Sequence, residues 1–309
     1  MQSGNDPLPM HRHDWVLLVL LSVLWGGSFF FNGVALREVP PLTVAFVRVA
    51  GGALCLLAVV AALGGTLPKR AADWLPFAVM GLVNNVIPFS LFLIAQTIVS
   101  SGLAAVLNAT TPLFAVLVMA AAGEERLTGQ RIAGVAIGVG GVALLRAPGL
   151  STADQILGVT LCLAAALSYG FAGFWGRRAL AGVPPLTSAA GQLICSTPMM
   201  AVAAAIAERP WTLPMPGAVT WAALAGLATL STALAYILFF RILNRSGAVN
   251  VVLVTLLIPV TTILLGHFVL AETLTARETA GALVIASALI VIDGRALALL
   301  RRGRSPKRA

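Results

Sequence analysis

The pentapeptide Val39-Pro40-Pro41-Leu42-Thr43 recurs letter for letter at Val183-Pro184-Pro185-Leu186-Thr187, an offset of 144 residues. At the same offset Trp25-Gly26 falls on Tyr169-Gly170, and Arg48 falls on Gln192. Further along the offset becomes 147. There Pro112 matches Pro259, Glu125-Arg126-Leu127-Thr128 matches Glu272-Thr273-Leu274-Thr275, and Gly134 matches Gly281. An ordered series of matches at nearly constant spacing marks a duplication, each copy about half the chain.

What kind of unit is duplicated follows from hydropathy. The chain is 59% hydrophobic and 10% charged, whereas a soluble domain carries about 25% charged residues. Apolar runs near twenty residues recur end to end, each long enough to cross about 30 Å of hydrocarbon. Ten such helices in succession leave no polar segment to cover them in water, so a polytopic all-α membrane protein is expected. The first five helices run about 15–36, 41–63, 74–97, from the turn at 99–102 to 123, and 129–145. The second five run about 156–176, 185–207, 217–240, 247–270 and 276–292. Thr275 with Glu278 three residues later reads as a capping box opening the last. The expected units are therefore 14–146, 156–297 and a basic tail, 298–309.

Five helices per copy is an odd number, so the second copy enters the membrane from the opposite side. The charges agree. Fifteen of the 20 basic residues fall on one side in this threading, four (Arg37, Arg146, Arg209 and Arg277) on the other, and Arg48 lies inside helix 2. Positive residues favour the cytoplasm, which places both termini there. The net charge of +9 thus reads as topology signal and attraction to anionic lipid, not as a nucleic-acid surface. Cys55, Cys162 and Cys195 lie within apolar segments and read as small buried hydrophobes. Two five-helix copies of opposite orientation are the plan of many secondary transporters.

The residues resemble the drug/metabolite transporter superfamily, in its ten-helix branch of two EamA-type domains. The resemblance covers residues 14 to 297. It rests on Trp25-Gly26, the proline turn followed by Arg48, the run Ser101-Gly102 to Asn108 and Thr111-Pro112, and Glu125-Arg126-Leu127-Thr128 before a glycine-rich helix 5. It implies an inner-membrane secondary transporter, often an exporter of amino acids, other metabolites or drugs, with membrane lipids and a small-molecule substrate as its partners. It also implies a central cavity between helices 1–4 and 6–9, with helices 5 and 10 peripheral. A flippase or scaffold for a lipid-linked head group, and a passive pore of the same fold, remain as alternatives.

All 11 acidic residues fall at helix ends or in loops. A proton-coupled carrier most simply keeps a carboxylate at mid-membrane, so transport is expected either without a strict proton requirement or with coupling through another kind of group. No phosphate-cradling loop or nucleophile–base set is present, and neither an enzyme nor a cofactor is expected. The candidate substrate contacts are the polar or aromatic mid-helix residues Trp25, Ser28, Arg48, Asn84, Asn85, Asn108, Tyr169, Gln192, Thr232, Tyr236 and Thr255. Each has a plainer reading as glue between helices. Arg48 can equally anchor helix 2 or meet a substrate carboxylate or phosphate, because no mid-membrane acid can pair with it. Pro88, Pro112, Pro198 and Pro259 read as kinks or hinges. Gly134 to Gly138 reads as a close-packing face whose partner the sequence leaves open. His267 reads as a hydrogen-bonded residue near a helix end.

Overall fold

The computed structural model describes residues 12–125, 127–145, 153–251 and 254–293. Arg126, Arg146, Pro148, Gly149 and the basic tail 298–309 lie outside them. Among the described residues there are ten helices and no strand. In chain order they are α1 (Arg12–Ala35), α2 (Pro41–Ala62), α3 (Leu75–Gly81, a π turn Leu82–Val86, then Ile87–Ala95), α4 (Ser101–Asn108 and Thr111–Ala121) and α5 (Gly129–Leu145). Then follow α6 (Ala153–Ala179), α7 (Pro185–Ala207), α8 (Ala218–Ala228, a π turn Thr229–Leu234, then Ala235–Val251), α9 (Val254–Leu270) and α10 (Ala276–Asp293). Seven of these, α1–α4 and α6–α8, are long and apolar enough to cross a membrane. Chains take this form in lipid because a helix satisfies its own backbone where no water can.

The expected boundaries hold to within a few residues except between α8 and α9. The break expected between Arg241 and Gly247 is absent, and α8 runs on to Val251. Ser-Gly is a weak stop when neighbouring helical residues propagate through it. The other helix starts behave as their sequences dictate. Ser100 Oγ accepts the Leu103 N–H at 3.2 Å and caps α4. At α10 the Glu278 carboxylate accepts the Thr275 N–H at 2.7 Å, while Thr275 Oγ1 accepts the Glu278 N–H at 3.2 Å, completing the capping box.

The two copies interlock. α1 of the first copy packs on α8 and α9 of the second, and α6 of the second packs on α3 and α4 of the first. Glycine makes the first of these approaches close: a Cβ on Gly26 would lie 2.7 Å from Thr261 Cβ, and Thr262 Oγ1 donates to the Gly26 carbonyl at 3.0 Å. α2 and α7 lie against each other, as do α5 and α10. Each of those two pairs joins a helix to its own repeat mate, so the pseudo-two-fold axis passes between them. The glycine face of α5 is spent on this packing. Gly134 lies under Ile292 and the Ala288 carbonyl of α10, Gly138 under Leu113 of α4, and a Cβ on Gly141 would stand 3.1 Å from the Ile285 backbone nitrogen.

Carboxylates tie the copies together at both ends. At the end holding loops 36–40, 96–100, 208–217 and 271–275, three of them cap helix N-termini. Glu208 accepts from the Leu42 N–H, the Thr43 N–H and the Thr43 hydroxyl at 2.7–2.8 Å, capping α2, whose N-cap residue Pro40 offers no side-chain acceptor. Glu272 accepts from the Ser101 and Gly102 N–H groups of α4 at 3.2 and 3.3 Å, and Glu38 from the Gly217 N–H before α8 at 2.7 Å. Negative charge is favoured there by the helix dipole. The opposite end uses ion pairs instead: Glu125 with Arg177 at 3.1 Å, Glu124 with Arg178 at 3.7 Å and Asp14 with Arg245 at 3.0 Å across the copies, and Glu125 with Arg131 at 2.6 Å within the first.

The Glu38 tie gives a pH dependence with a definite sign. The Gly217 N–H, and after it the Thr220 hydroxyl, hold the Glu38 carboxyl below its ordinary value of 4.5. A depressed folded-state pKa contributes stability that is present above the ordinary value and is lost as pH falls through the lower one. The melting-temperature difference between wild type and Glu38→Gln should therefore be constant at neutral pH and shrink only below about pH 4.5. A difference that grows on acidification would contradict the tie.

Candidate substrate site

Two features place polar groups at the centre of this fold. Both are π turns, and they are repeat mates: Leu82–Val86 and Thr229–Leu234 begin 147 residues apart. The turn in α3 ends two residues before Pro88, whose ring would otherwise clash with the carbonyl of Asn84 in a regular helix. The turn in α8 has Ala235 at the equivalent place, so the widening belongs to the repeat and not to the proline. Each turn re-aims two polar residues, Asn84-Asn85 and Ser231-Thr232. π turns inside helices occur frequently at functional sites.

Facing each turn is the polar residue of the helix opposite. Arg48 of α2 donates from Nε to Thr232 Oγ1 at 3.1 Å. By symmetry Gln192 of α7 faces Asn85, and accepts at Oε1 from Asn84 Nδ2 at 2.8 Å and from Asn85 Nδ2 at 3.5 Å. Tyr236 joins the second cluster, its hydroxyl donating to Asn85 Oδ1 at 2.9 Å and accepting from Asn84 Nδ2 at 3.1 Å. Asn85 Nδ2 also donates to Ser196 Oγ at 3.0 Å, and Ser196 donates to the Gln192 carbonyl at 2.6 Å. Arg48, Asn85, Gln192 and Thr232 are 6%, 0%, 1% and 1% exposed. A hydrogen-bonded cluster of this burial is stiff, because every broken bond would leave a polar group without water.

Aromatic rings wall the cluster. The Arg48 guanidinium lies 3.9 Å from the centroid of the Phe89 ring, within cation–π range. Tyr169 stacks on Phe92 at 6.2 Å, which meets Phe29 edge-on, and Trp25 lies 5.5 Å from Phe239. Tyr169 and Tyr236 pack in the same apolar cluster as Phe89.

Of the sequence-expected contacts, Arg48, Asn84, Asn85, Gln192, Thr232 and Tyr236 meet in one bonded neighbourhood, with Tyr169 beside it. Trp25 is half-buried on α1 against α8. Ser28 is buried and donates back to the Trp25 carbonyl of its own helix at 2.6 Å. Asn108 ends the first half of α4, where the helix breaks ahead of Pro112, and its carbonyl accepts the Thr111 hydroxyl at 2.7 Å. Thr255 is half-buried on α9. His267 Nδ1 lies 3.3 Å from the Glu272 carbonyl near the end of α9. Sequence reading missed Ser196, Phe89 and the π turns. The offsets held the signal for Phe89, which is the mate of Tyr236 at 147; Ser196 is the mate of Gly52 at 144, and nothing in a glycine points to it.

The family model described as the EamA-like transporter family matches residues 14–147 and again 156–293. The chain belongs to that family. It is 27% identical over 277 residues to an uncharacterized inner membrane transporter YedA of Escherichia coli (strain K12), covering 89% of each chain. It is 28% identical over 292 residues to a probable amino-acid metabolite efflux pump of the same organism, covering 91% of this chain and 95% of that one. A crystal structure 21% identical in sequence superposes with a TM-score of 0.67 over 96% of this chain and all of the other, a likeness of fold. This EamA-like protein is therefore a membrane transporter, and its double family match follows the duplication.

Proposed function

We propose that this EamA-like protein is an inner-membrane secondary exporter of a small metabolite, an amino acid or related compound, or a drug, working by alternating access. One observation carries the reading. The two copies are of opposite orientation, and their polar side chains pair across the interface, Arg48 with Thr232 and Gln192 with Asn84 and Asn85, midway between two ends that are each tied across the copies. A substrate seated among these groups touches both halves and can be exposed at one end when that end's ties part. The relative named an efflux pump supports the outward direction, and the relative named an inner membrane transporter supports the location. Arg48, Asn84, Asn85, Tyr169, Gln192, Thr232 and Tyr236 form the proposed site, with Trp25 as wall and Ser28, Asn108 and Thr255 around it.

On this reading the termini and the Glu125 end are cytoplasmic and the Glu38–Glu208–Glu272 end is outside, which the bias of the basic residues supports. A cysteine at Trp211, which is 72% exposed, should then react with an impermeant maleimide in intact cells, while one at Arg178 should react only after permeabilisation. The opposite pattern would invert the protein. The exporter reading itself is tested in proteoliposomes with metabolites drawn from cells that overproduce the protein. Saturable counterflow is expected; flux that never saturates would make it a pore, and movement of a lipid probe a flippase.

A further inference from the structure

The two halves of the central site are related by symmetry but not by charge. On the Gln192 side the amides and hydroxyls close on one another, since Asn84, Asn85, Ser196 and Tyr236 each spend their side chain within the cluster. The Arg48 side is left open. Arg48 is buried, yet Nε alone makes a hydrogen bond, and the two terminal nitrogens bond to no described residue. Tyr169, beside it, stacks through its ring on Phe92 while its hydroxyl bonds to no described residue. Neither the terminal nitrogens nor this hydroxyl are sealed away, because Asn32 Oδ1 is the one described side-chain atom both fully enclosed and without a partner. The open groups are thus three donors, of which two belong to a planar cationic fork.

No carboxylate among the described residues pairs with that charge. The side chains shown to touch Arg48 are the Thr232 hydroxyl and the Phe89 ring. Glu38, Glu208 and Glu272 are spent on backbone N–H groups at one end, and Asp14, Glu124 and Glu125 on arginines at the other. A buried cation without a counter-charge is costly, and an arginine fork fits a carboxylate by two parallel hydrogen bonds. The same shortage leaves nothing among the described residues of the site to hold a substrate ammonium by charge.

Resting on the exporter reading above, we infer that Arg48 and Tyr169 form a receptor for one anionic group of the substrate, a carboxylate, and that the rest of the substrate meets only uncharged groups. The substrate class is then a small organic monoanion. An amino acid from which the amino group has been lost suits the site better than the amino acid itself.

A matched set of probes tests this in purified protein reconstituted into lipid nanodiscs, with binding read by calorimetry. The set is 2-hydroxyisocaproate, its primary amide, leucine and isopentylamine, which share one apolar body and differ in charge. The hydroxy acid should bind tightest, about tenfold or more tighter than its amide, since a charge-assisted bond is roughly twice as strong as a neutral one. Arg48→Gln should erase the difference between acid and amide. Tyr169→Phe should reduce it by about threefold, the loss of one net hydrogen bond. Equal binding of acid and amide, tightest binding of the amine, a preference that survives Arg48→Gln, or no binding by any probe would each overturn the inference. Alternating access is tested separately, by distances between labelled helix ends at the two faces, which need no ligand.

Discussion

Arg48→Gln is expected to leave the protein at normal abundance in the membrane and to cut transport by roughly ten- to a hundredfold. Inserting a buried arginine costs about 2.5–3.5 kcal/mol, a cost the neutral side chain relieves. Glutamine can still reach a hydroxyl across the interface, as Gln192 does to the amides in the opposite copy. What it gives up inside the protein is the stacking on Phe89, worth about 0.5–2 kcal/mol. The relief outweighs the loss, so stability is not expected to fall. An anionic substrate has no such compensation and loses charge-assisted bonds of about 1.5–3 kcal/mol. Membrane abundance by immunoblot and flux in vesicles from the same cells separate the two quantities. Low abundance with flux reduced in proportion would make Arg48 an anchor.

Glu208→Ala acts at the other place where much energy is concentrated. The carboxylate satisfies two backbone N–H groups and one hydroxyl at the start of α2, the helix that carries Arg48. Removing it leaves that end without its cap, at a cost of about 2–3 kcal/mol. Because Glu208 ends α7 of one copy and α2 belongs to the other, the loss falls on the state in which that end is closed. Every 1.4 kcal/mol is a factor of ten, so the balance between states should move by roughly 30- to 150-fold toward opening there. Glu208→Gln keeps an acceptor and should move it less. Protease or thiol accessibility of loop 36–40 reads this shift, and unchanged accessibility in both variants would remove Glu208 from the gate.

Much of this was legible in the sequence. The Val-Pro-Pro-Leu-Thr duplication, the apolar runs and the odd helix count gave ten helices in two inverted copies without any structural information. The same offsets paired Arg48 with Gln192 before either had a visible partner. The exchange of α1 and α6 between copies was not legible, because periodicity says which face of a helix is apolar and not which helix covers it. Nor were the π turns: Asn84-Asn85 and Ser231-Thr232 sit in ordinary helical sequence, and the groups they face, on α7 and α2, are distant in the chain. Glu208 looked like a loop acid. It follows α7 by one residue, and only folding brings it to the start of α2, 166 residues back in the chain.

The central claim is that the two ends open in turn about a fixed site, and distance measurement between the ends tests it most directly. Spin labels at Arg37 and Met215 report on the Glu38 end, and labels at Ala122 and Ala181 on the Glu125 end; all four positions are exposed. Each pair should show two distances whose populations are reciprocal. In Glu208→Ala the Arg37–Met215 pair should shift to the longer distance while the Ala122–Ala181 pair shifts to the shorter. Ends that lengthen together, or that stay fixed in both proteins, would contradict alternating access and leave a pore or a rigid scaffold.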